Sequence, residues 1–244
     1  MKEGKLPFIR AVVGQIRHLF RTRNSLSFIR NLRKTGVPIG EDVIFHSPRT
    51  TFVDPTRPYL IRIGSHVRIT HGVTILTHGY DWFVLRNLRR RAYGSAGEVD
   101  FGNNVFIGMN ALILKGVSIG DDTIVAAGSV ITRSVPQRSV VAGNPGRVTC
   151  SIEEYGDRLE ARQFHEAAIQ ARALVRSGRK AVPDDFREFF YFFLPRNSVG
   201  FGRIPVELQV GPFMPEFLAS QPTFASFEAF LAACLEHFEE QGDQ

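Results

Sequence analysis

The chain has 244 residues, a formal net charge of +6 and 43% hydrophobic residues, enough for one good-sized core plus an appendage or for two modest domains. This composition excludes a disordered chain, and no apolar run reaches the roughly 18 residues that a membrane-spanning helix needs. The two cysteines, Cys150 and Cys234, match no metal or redox spacing, and no signal peptide is recognisable. We therefore expect a cytoplasmic protein with reduced thiols.

The positive charge is concentrated in residues 1–36, which contain nine lysines or arginines and one glutamate. Apolar residues from Phe8 to Phe20 recur between these cations at helical spacing, which predicts a basic amphipathic helix. Such a helix can lie on an anionic membrane surface, here the inner face, or it can cap the open end of a repeat domain. The sequence leaves both interpretations open. We expect no nucleic-acid partner, because no binding motif accompanies the charge.

A six-residue repeat follows within residues 37–150 and predicts a mainly β domain. Units begin at Ile63, Ile69 and Ile75, weaker ones start at Ile39, and from Phe101 to Pro136 all six first positions are apolar. A period of six is too short for paired helices but suits short strands joined by turns. With three units per coil, residues 18 apart should stack in a continuous core: Phe101 under Ile119, Ile107 under Val125 and Ile113 under Ile131.

Residues 79–98 interrupt the repeat with Gly79-Tyr-Asp-Trp82, four arginines and a glycine-rich stretch. A regular coil cannot absorb 20 extra residues, so we expect this segment to leave the repeat as a loop, and long loops in compact domains are usually functional. Its arginines (Arg86, Arg89, Arg90 and Arg91) suggest an anionic ligand or a position near a membrane.

Residues 151–244 form the third predicted domain. Residues 152–177 have the pattern of a long polar helix, and the segment from Phe186 onwards holds twelve of the chain's twenty-one phenylalanines. Aromatic residues at helical spacing are usually core residues, which favours a helical extension packed on the repeat domain. A platform for sugar rings is the alternative interpretation.

The stretches VTILTHGYDW (residues 73–82) and EVDFGNNVFIG (residues 98–108) closely resemble the sugar and polysaccharide O-acetyltransferase branch of the hexapeptide-repeat acyltransferases. The resemblance covers about residues 37–150. It implies a left-handed parallel β-helix that assembles as a homotrimer and uses acetyl-CoA as co-substrate.

Three histidines, His66, His71 and His78, lie in successive repeats and raise the possibility of a metal site. The ligand spacing of the gamma-class carbonic anhydrases is not matched, since Leu76 stands where the next ligand should be. We therefore predict no metal.

His78 lies where the repeat breaks, and the resemblance implies that it is the catalytic general base. An imidazole suits this task because an alcohol attacks a thioester at a useful rate only if its proton is removed as the bond forms. Either Asp81 or Glu98 could orient the ring from its other nitrogen. Trp82 would line the acceptor pocket or fasten the loop. The sequence does not decide between these alternatives.

The resemblance places the donor site on the last coils. Small residues at Ala127 and Gly128 would allow the pantetheine arm of coenzyme A to approach, while Thr132, Arg133 and Arg147 match positions that contact its nucleotide end. Two departures weaken this correspondence: Phe106 replaces a tryptophan found in many relatives, and Cys150 replaces a basic residue found in some.

These observations predict an acetyl-CoA-dependent O-acetyltransferase that acts on a sugar hydroxyl of a capsular or O-antigen type polysaccharide or its precursor. Two alternatives remain open. An N-acetyltransferase on an amino-sugar nucleotide would use the same donor, and a non-catalytic β-helix would serve as a scaffold.

Overall fold

The computed structural model describes residues 22–197 and 203–237. The chain divides into two compact units, the first ending at Tyr155 and the second beginning at Gly156. The amphipathic helix predicted from Phe8 to Phe20 lies outside the described residues. No helix within the described ranges is long and apolar enough to cross a membrane.

The described part of the first unit is built from short strands. They are β1 (Ile44–Phe45), β2 (Phe52–Val53), β3 (Ile61–Ile63), β4 (Arg68–Ile69), β5 (Thr74–Ile75), β6 (Val99–Phe101), β7 (Val105–Ile107), β8 (Leu112–Ile113), β9 (Val117–Ile119), β10 (Thr123–Val125), β11 (Val130–Ile131), β12 (Ser139–Gly143) and β13 (Gly146–Ser151). They form three sheets, with the orders β1-β4-β7-β10-β12-β13 (sheet 1), β2-β5-β8-β11 (sheet 2) and β3-β6-β9 (sheet 3). The chain visits sheets 1, 2 and 3 in turn, so each round is one coil of a three-sided parallel β-helix. This arrangement fits the left-handed β-helix that the resemblance implies.

The strand register confirms the predicted stacking. Phe101 pairs with Ile119, Ile107 with Val125 and Ile113 with Ile131, each 18 residues apart. Across the interruption the offset grows to 38, as Ile75 pairs with Ile113, which confirms that 20 residues leave the coil. The burial within the three-residue strands explains the repeat. The fifth position of one unit and the first position of the next point into the core, and the sixth position between them points outward.

The core is a column of aliphatic side chains. Ile69, Ile75, Ile107 and Ile113 are fully buried. Removing each such side chain from water stabilises the fold by about 1.5–3 kcal/mol, and no single coil could achieve this burial alone. Helix α1 (Ser25–Lys34) adds to the column at the first coil, where the rings of Phe28 and Phe45 meet edge to face at 4.9 Å.

The corner between sheets 2 and 3 carries the insertions, and we call it the insertion corner. It consists of residues 54–60 after β2, 76–98 after β5, 114–116 after β8 and 132–134 after β11. The segment after β2 contains a 3-10 turn (Pro58–Leu60), and the long one contains helix α2 (Trp82–Arg89), which the sequence did not predict. Ladder hydrogen bonds continue into the corner, since Asp54, Leu76 and Leu114 donate their N–H groups to Ile75, Ile113 and Ile131. Successive corner segments therefore stack on one another.

The described part of the second unit is helical. Helix α3 (Ile152–Arg176) begins before the boundary and matches the long helix predicted for residues 152–177, and α4 (Val206–Val210), α5 (Met214–Ala219) and α6 (Phe227–Glu236) follow. The 3-10 turns are Pro183–Phe186, Phe190–Phe192 and Gly211–Phe213. Five phenylalanines are buried in a separate core with small residues of α3: Phe186, Phe190, Phe192, Phe193 and Phe230. Because these rings are buried in the core, they cannot form a platform for sugar rings.

Candidate functional site

The three histidines of successive repeats lie at three different corners of one coil. His66 lies between β3 and β4, His71 between β4 and β5, and His78 after β5. His66 Nδ1 lies 3.0 Å from Asp42 Oδ2, and His71 Nδ1 lies 3.2 Å from the hydroxyl of Thr50. The described residues contain no group of three or more histidines, cysteines or carboxylates placed to hold a metal ion. These imidazoles therefore make separate contacts.

His78 is paired with a buried carboxylate on the insertion corner. Its Nδ1 lies 2.5 Å from Asp54 Oδ2, and the two side chains are 17% and 1% exposed. Stacking of the corner segments brings them together, because Val53 pairs with Ile75 and the segments that follow these two residues turn the same corner. Asp54 is a residue that the sequence reasoning missed.

The Asp54 carboxylate is held by a full set of donors. Its Oδ1 accepts from the backbone N–H and hydroxyl of Thr56 at 3.0 and 2.6 Å, and its Oδ2 accepts from the N–H and hydroxyl of Thr77 at 3.1 and 2.5 Å. Burial by itself raises the pKa of Asp54, but the hydrogen bonds from Thr56, Thr77 and His78 outweigh it and hold the pKa well below its usual range. Asp54 is therefore ionised at neutral pH.

An ionised Asp54 fixes the proton on His78. A carboxylate can only accept, so Nδ1 must carry the hydrogen and Nε2 of the neutral ring is left with a lone pair. No residue in the described ranges hydrogen-bonds to Nε2. The arrangement can remove a proton at Nε2 and stabilise the resulting imidazolium through Asp54.

Neither carboxylate suggested by the sequence orients His78. Asp81 lies at the N-terminal end of α2, and a Cβ built on Gly79 would lie 2.6 Å from its Oδ1. Glu98 is exposed beside Tyr59 and Arg62 at the start of sheet 3. Both residues follow His78 along the chain, whereas the partner that binds Nδ1 comes from the previous coil.

Trp82 is connected to His78 through one aromatic neighbour. The ring of Tyr80 lies 5.3 Å from the His78 ring, edge to face, and 5.7 Å from the Trp82 ring. Helix α2 continues from Trp82 with no buried residue, and its Arg86 guanidinium lies over Phe83 at 4.5 Å. An aromatic and basic surface therefore begins two residues from His78.

The residues expected to bind the donor are divided between two edges of sheet 2. Thr132 and Arg133 follow β11 on the insertion corner, the corner of His78, and both are exposed. Ala127 lies on the opposite edge, between β10 and β11. Arg147 lies in β13, where a Cβ on neighbouring Gly146 would lie 2.7 Å from Ile131 Cδ1. Sheet 2 thus separates Ala127 from His78 within one chain.

The sequence contained a weak signal for Asp54. Aligning Phe52-Val53 with Thr74-Ile75 makes Asp54 the first residue of the insertion corner, directly below the start of the segment that carries His78. The 22-residue offset of that pair hides the relation from a strict 18-residue repeat, because four extra residues follow β2.

Comparisons with known proteins agree with the repeat. The family model described as bacterial transferase hexapeptide (six repeats) matches residues 99–133. Protein CapG of Staphylococcus aureus is 43% identical over 129 residues, which are 52% of this chain and 73% of CapG. Galactoside O-acetyltransferase of Escherichia coli is 34% identical over 113 residues, 46% of this chain and 53% of that protein, so the chain spans about half of this relative.

Among solved structures, a hexapeptide-repeat acetyltransferase of Vibrio cholerae in complex with acetyl-CoA is 23% identical, with a TM-score of 0.42, covering 62% of this chain and 90% of that one. The match to most of CapG and the hexapeptide model assign the family. The chain therefore belongs to the hexapeptide-repeat acyltransferase superfamily, in the branch of the sugar O-acetyltransferases.

Proposed function

We propose that this chain transfers an acetyl group from acetyl-CoA to a sugar hydroxyl, with His78 as the general base. The observation that supports this proposal most directly is the His78–Asp54 pair, in which a carboxylate 2.5 Å from Nδ1 leaves Nε2 able to accept a proton. Such a pair is what activation of an alcohol requires at neutral pH.

In the proposed reaction, acetyl-CoA supplies the acetyl group as a thioester. His78 Nε2 accepts the proton of the acceptor hydroxyl as its oxygen forms a bond to the acetyl carbonyl carbon. The negative charge that develops on the carbonyl oxygen needs hydrogen-bond donors, which we assign to backbone amides of the repeat. When the carbon–sulfur bond breaks, His78 returns the proton from Nε2 to the leaving sulfur, and Asp54 stabilises the imidazolium in between.

The donor is proposed to lie along Ala127, Thr132, Arg133 and Arg147. The surface beside Ala127 is open, since a Cβ built on Gly128 would meet no atom within 4 Å. An extended pantetheine arm can approach such a surface and pair its amides with exposed backbone groups. Because Ala127 and His78 lie on opposite edges of sheet 2, a complete site is best explained by a groove between two copies of the chain. This supports the predicted homotrimer, which a molar mass in solution of three chains would establish.

The acceptor is proposed to be a capsular or O-antigen type polysaccharide or its precursor, as the resemblance of residues 73–82 and 98–108 to sugar and polysaccharide O-acetyltransferases implies. The arginines of the loop favour an anionic acceptor. The basic N-terminal segment is proposed to contact the inner face of the membrane. The N-acetyltransferase alternative shares the base and donor, and nothing in the geometry favours it.

Product chemistry tests this function directly. The purified protein should be incubated with acetyl-CoA and a panel of neutral, acidic and amino sugars and oligosaccharides, with thiol release and acetylated products measured together. We expect an acetyl ester, which hydroxylamine removes. A product that resists hydroxylamine would be an amide and would establish the N-acetyltransferase instead. Absence of acetyl-CoA binding would indicate the non-catalytic scaffold.

A further inference from the structure

Lys115 is a cation beside the His78–Asp54 pair that the proposed reaction does not use. It is the second residue after β8 on the insertion corner, the position that Thr77 holds after β5 and Arg133 holds after β11. A Cβ built on Gly79 would lie 3.8 Å from Lys115 Cε. The lysine side chain therefore reaches the residue that directly follows His78.

The ammonium group of Lys115 has no counter-ion among the residues that the structure describes. The side chain is nevertheless partly buried. Asp81 Oδ1 would lie 2.6 Å from the same Gly79 Cβ position, yet these two side chains form no ion pair within the described ranges. Asp54 is already occupied by Thr56, Thr77 and His78. A cation beside the proposed base that has no counter-ion among the described residues is available to bind an anionic ligand.

Arg133 strengthens this local positive potential. It is exposed at the equivalent position of the next coil, about 4.8 Å further along the strand stack, and forms no ion pair with a described residue. The proposed function assigns Arg133 to the nucleotide end of the donor, so the positive charge of this corner extends from the donor towards the residue next to His78. Lys115 is one coil nearer to His78 than Arg133 is, and it therefore fits a negative charge close to the reacting hydroxyl.

The position of Lys115 identifies which reactant carries that charge. The phosphates of the donor are separated from its thioester by the whole pantetheine arm, so they cannot lie next to His78 while the acetyl group does. The carboxylate of an acidic sugar is on the same ring as its hydroxyls, or on the neighbouring ring. We propose that Lys115 binds the carboxylate of an acidic sugar acceptor and thereby selects uronic-acid-type substrates. This inference rests on the proposed function.

Paired acceptors test the proposal. Oligosaccharides containing glucuronic, galacturonic, mannuronic or sialic acid are compared with the same oligosaccharides after reduction of their carboxyl groups to alcohols. The assays, at saturating acetyl-CoA, compare wild-type protein with Lys115→Met, Lys115→Arg and a control variant of an exposed lysine in the second unit, Lys180→Met. A charge-assisted hydrogen bond predicts that Lys115→Met loses between about 10- and 100-fold in kcat/KM on an acidic acceptor, mainly through KM.

The expected pattern is specific to charge. Lys115→Met should act on the reduced acceptors as wild type does, Lys115→Arg should recover much of the activity on acidic ones, and Lys180→Met should change neither. Equal wild-type activity on acidic and reduced acceptors would overturn the inference while leaving the O-acetyltransferase function intact. An equal loss on both acceptors, or a rise only in the KM for acetyl-CoA, would also overturn it. Failure of wild type on every acceptor would refute the proposed function itself.

Discussion

Replacing Asp54 by asparagine removes the charge behind His78 while keeping the shape of the side chain. The carboxylate accepts five hydrogen bonds, from the backbone and hydroxyl groups of Thr56 and Thr77 and from His78 Nδ1. A hydrogen bond to a charged group contributes about 1.5–3 kcal/mol, and a neutral one about 0.5–1.5 kcal/mol. The lost difference of about 1–2 kcal/mol applies mainly to the imidazolium formed during transfer. We therefore expect kcat to fall by about 5- to 30-fold from this effect alone, and further if the wrong tautomer is populated.

The assay is initial-rate thiol release with a hydroxyl acceptor, with the KM for acetyl-CoA measured in parallel. Asp42→Asn is a matched control, because Asp42 pairs with His66 at 3.0 Å at a different, exposed corner. It should retain wild-type activity, and Asp54→Asn should keep the wild-type KM for acetyl-CoA. A folded Asp54→Asn variant that turns over at the wild-type rate would refute the role assigned to Asp54.

Three further predictions concern stability. The pKa of Asp54 is held below its usual range, so its ionised form stabilises the fold above about pH 4. This contribution is lost as the pH falls further. The melting temperature of Asp54→Asn should therefore decline less steeply than that of the wild type between about pH 4 and pH 2. An equally steep decline in both proteins would contradict this. A Cβ on Gly108 would lie 2.7 Å from the backbone carbon of Ala126, so Gly108→Ala should destabilise the first unit by about 1–3 kcal/mol in urea unfolding. A Cβ on Gly156, within α3, would meet no atom within 4 Å, so Gly156→Ala should instead raise the free energy of unfolding by about 0.5–1 kcal/mol. A change of the same sign in both variants would be inconsistent with the packing described.

The repeat domain was predictable because its stacking depends on local periodicity. Apolar residues at every sixth position specify inward-pointing side chains, and the register of Ile113 with Ile131 follows from three units per coil. The exit of residues 79–98 was equally predictable, since extra residues cannot be accommodated in a regular coil. The helix at residues 152–177 was predictable from its length and polar pattern.

The partner of His78 was not predictable from nearby residues, because it comes from the previous coil. Asp81 and Glu98 were considered since they flank the loop in sequence, but stacking of the corner segments brings Asp54 to the imidazole across 24 residues. The position of Lys115 depends on the same stacking, which a strict 18-residue repeat does not show across the insertions. Helix α2 was missed because its eight residues follow no repeat and bury no side chain.

The central claim is that the imidazole of His78 performs the proton transfer. The measurement that tests it most directly is the rate of acetyl ester formation by His78→Ala beside His71→Ala, which removes an imidazole from another corner of the same coil. We expect His78→Ala to lose about 10²- to 10⁴-fold in kcat with acetyl-CoA binding unchanged, and His71→Ala to retain wild-type activity. Ester formation by a folded His78→Ala protein at the wild-type rate would contradict the account.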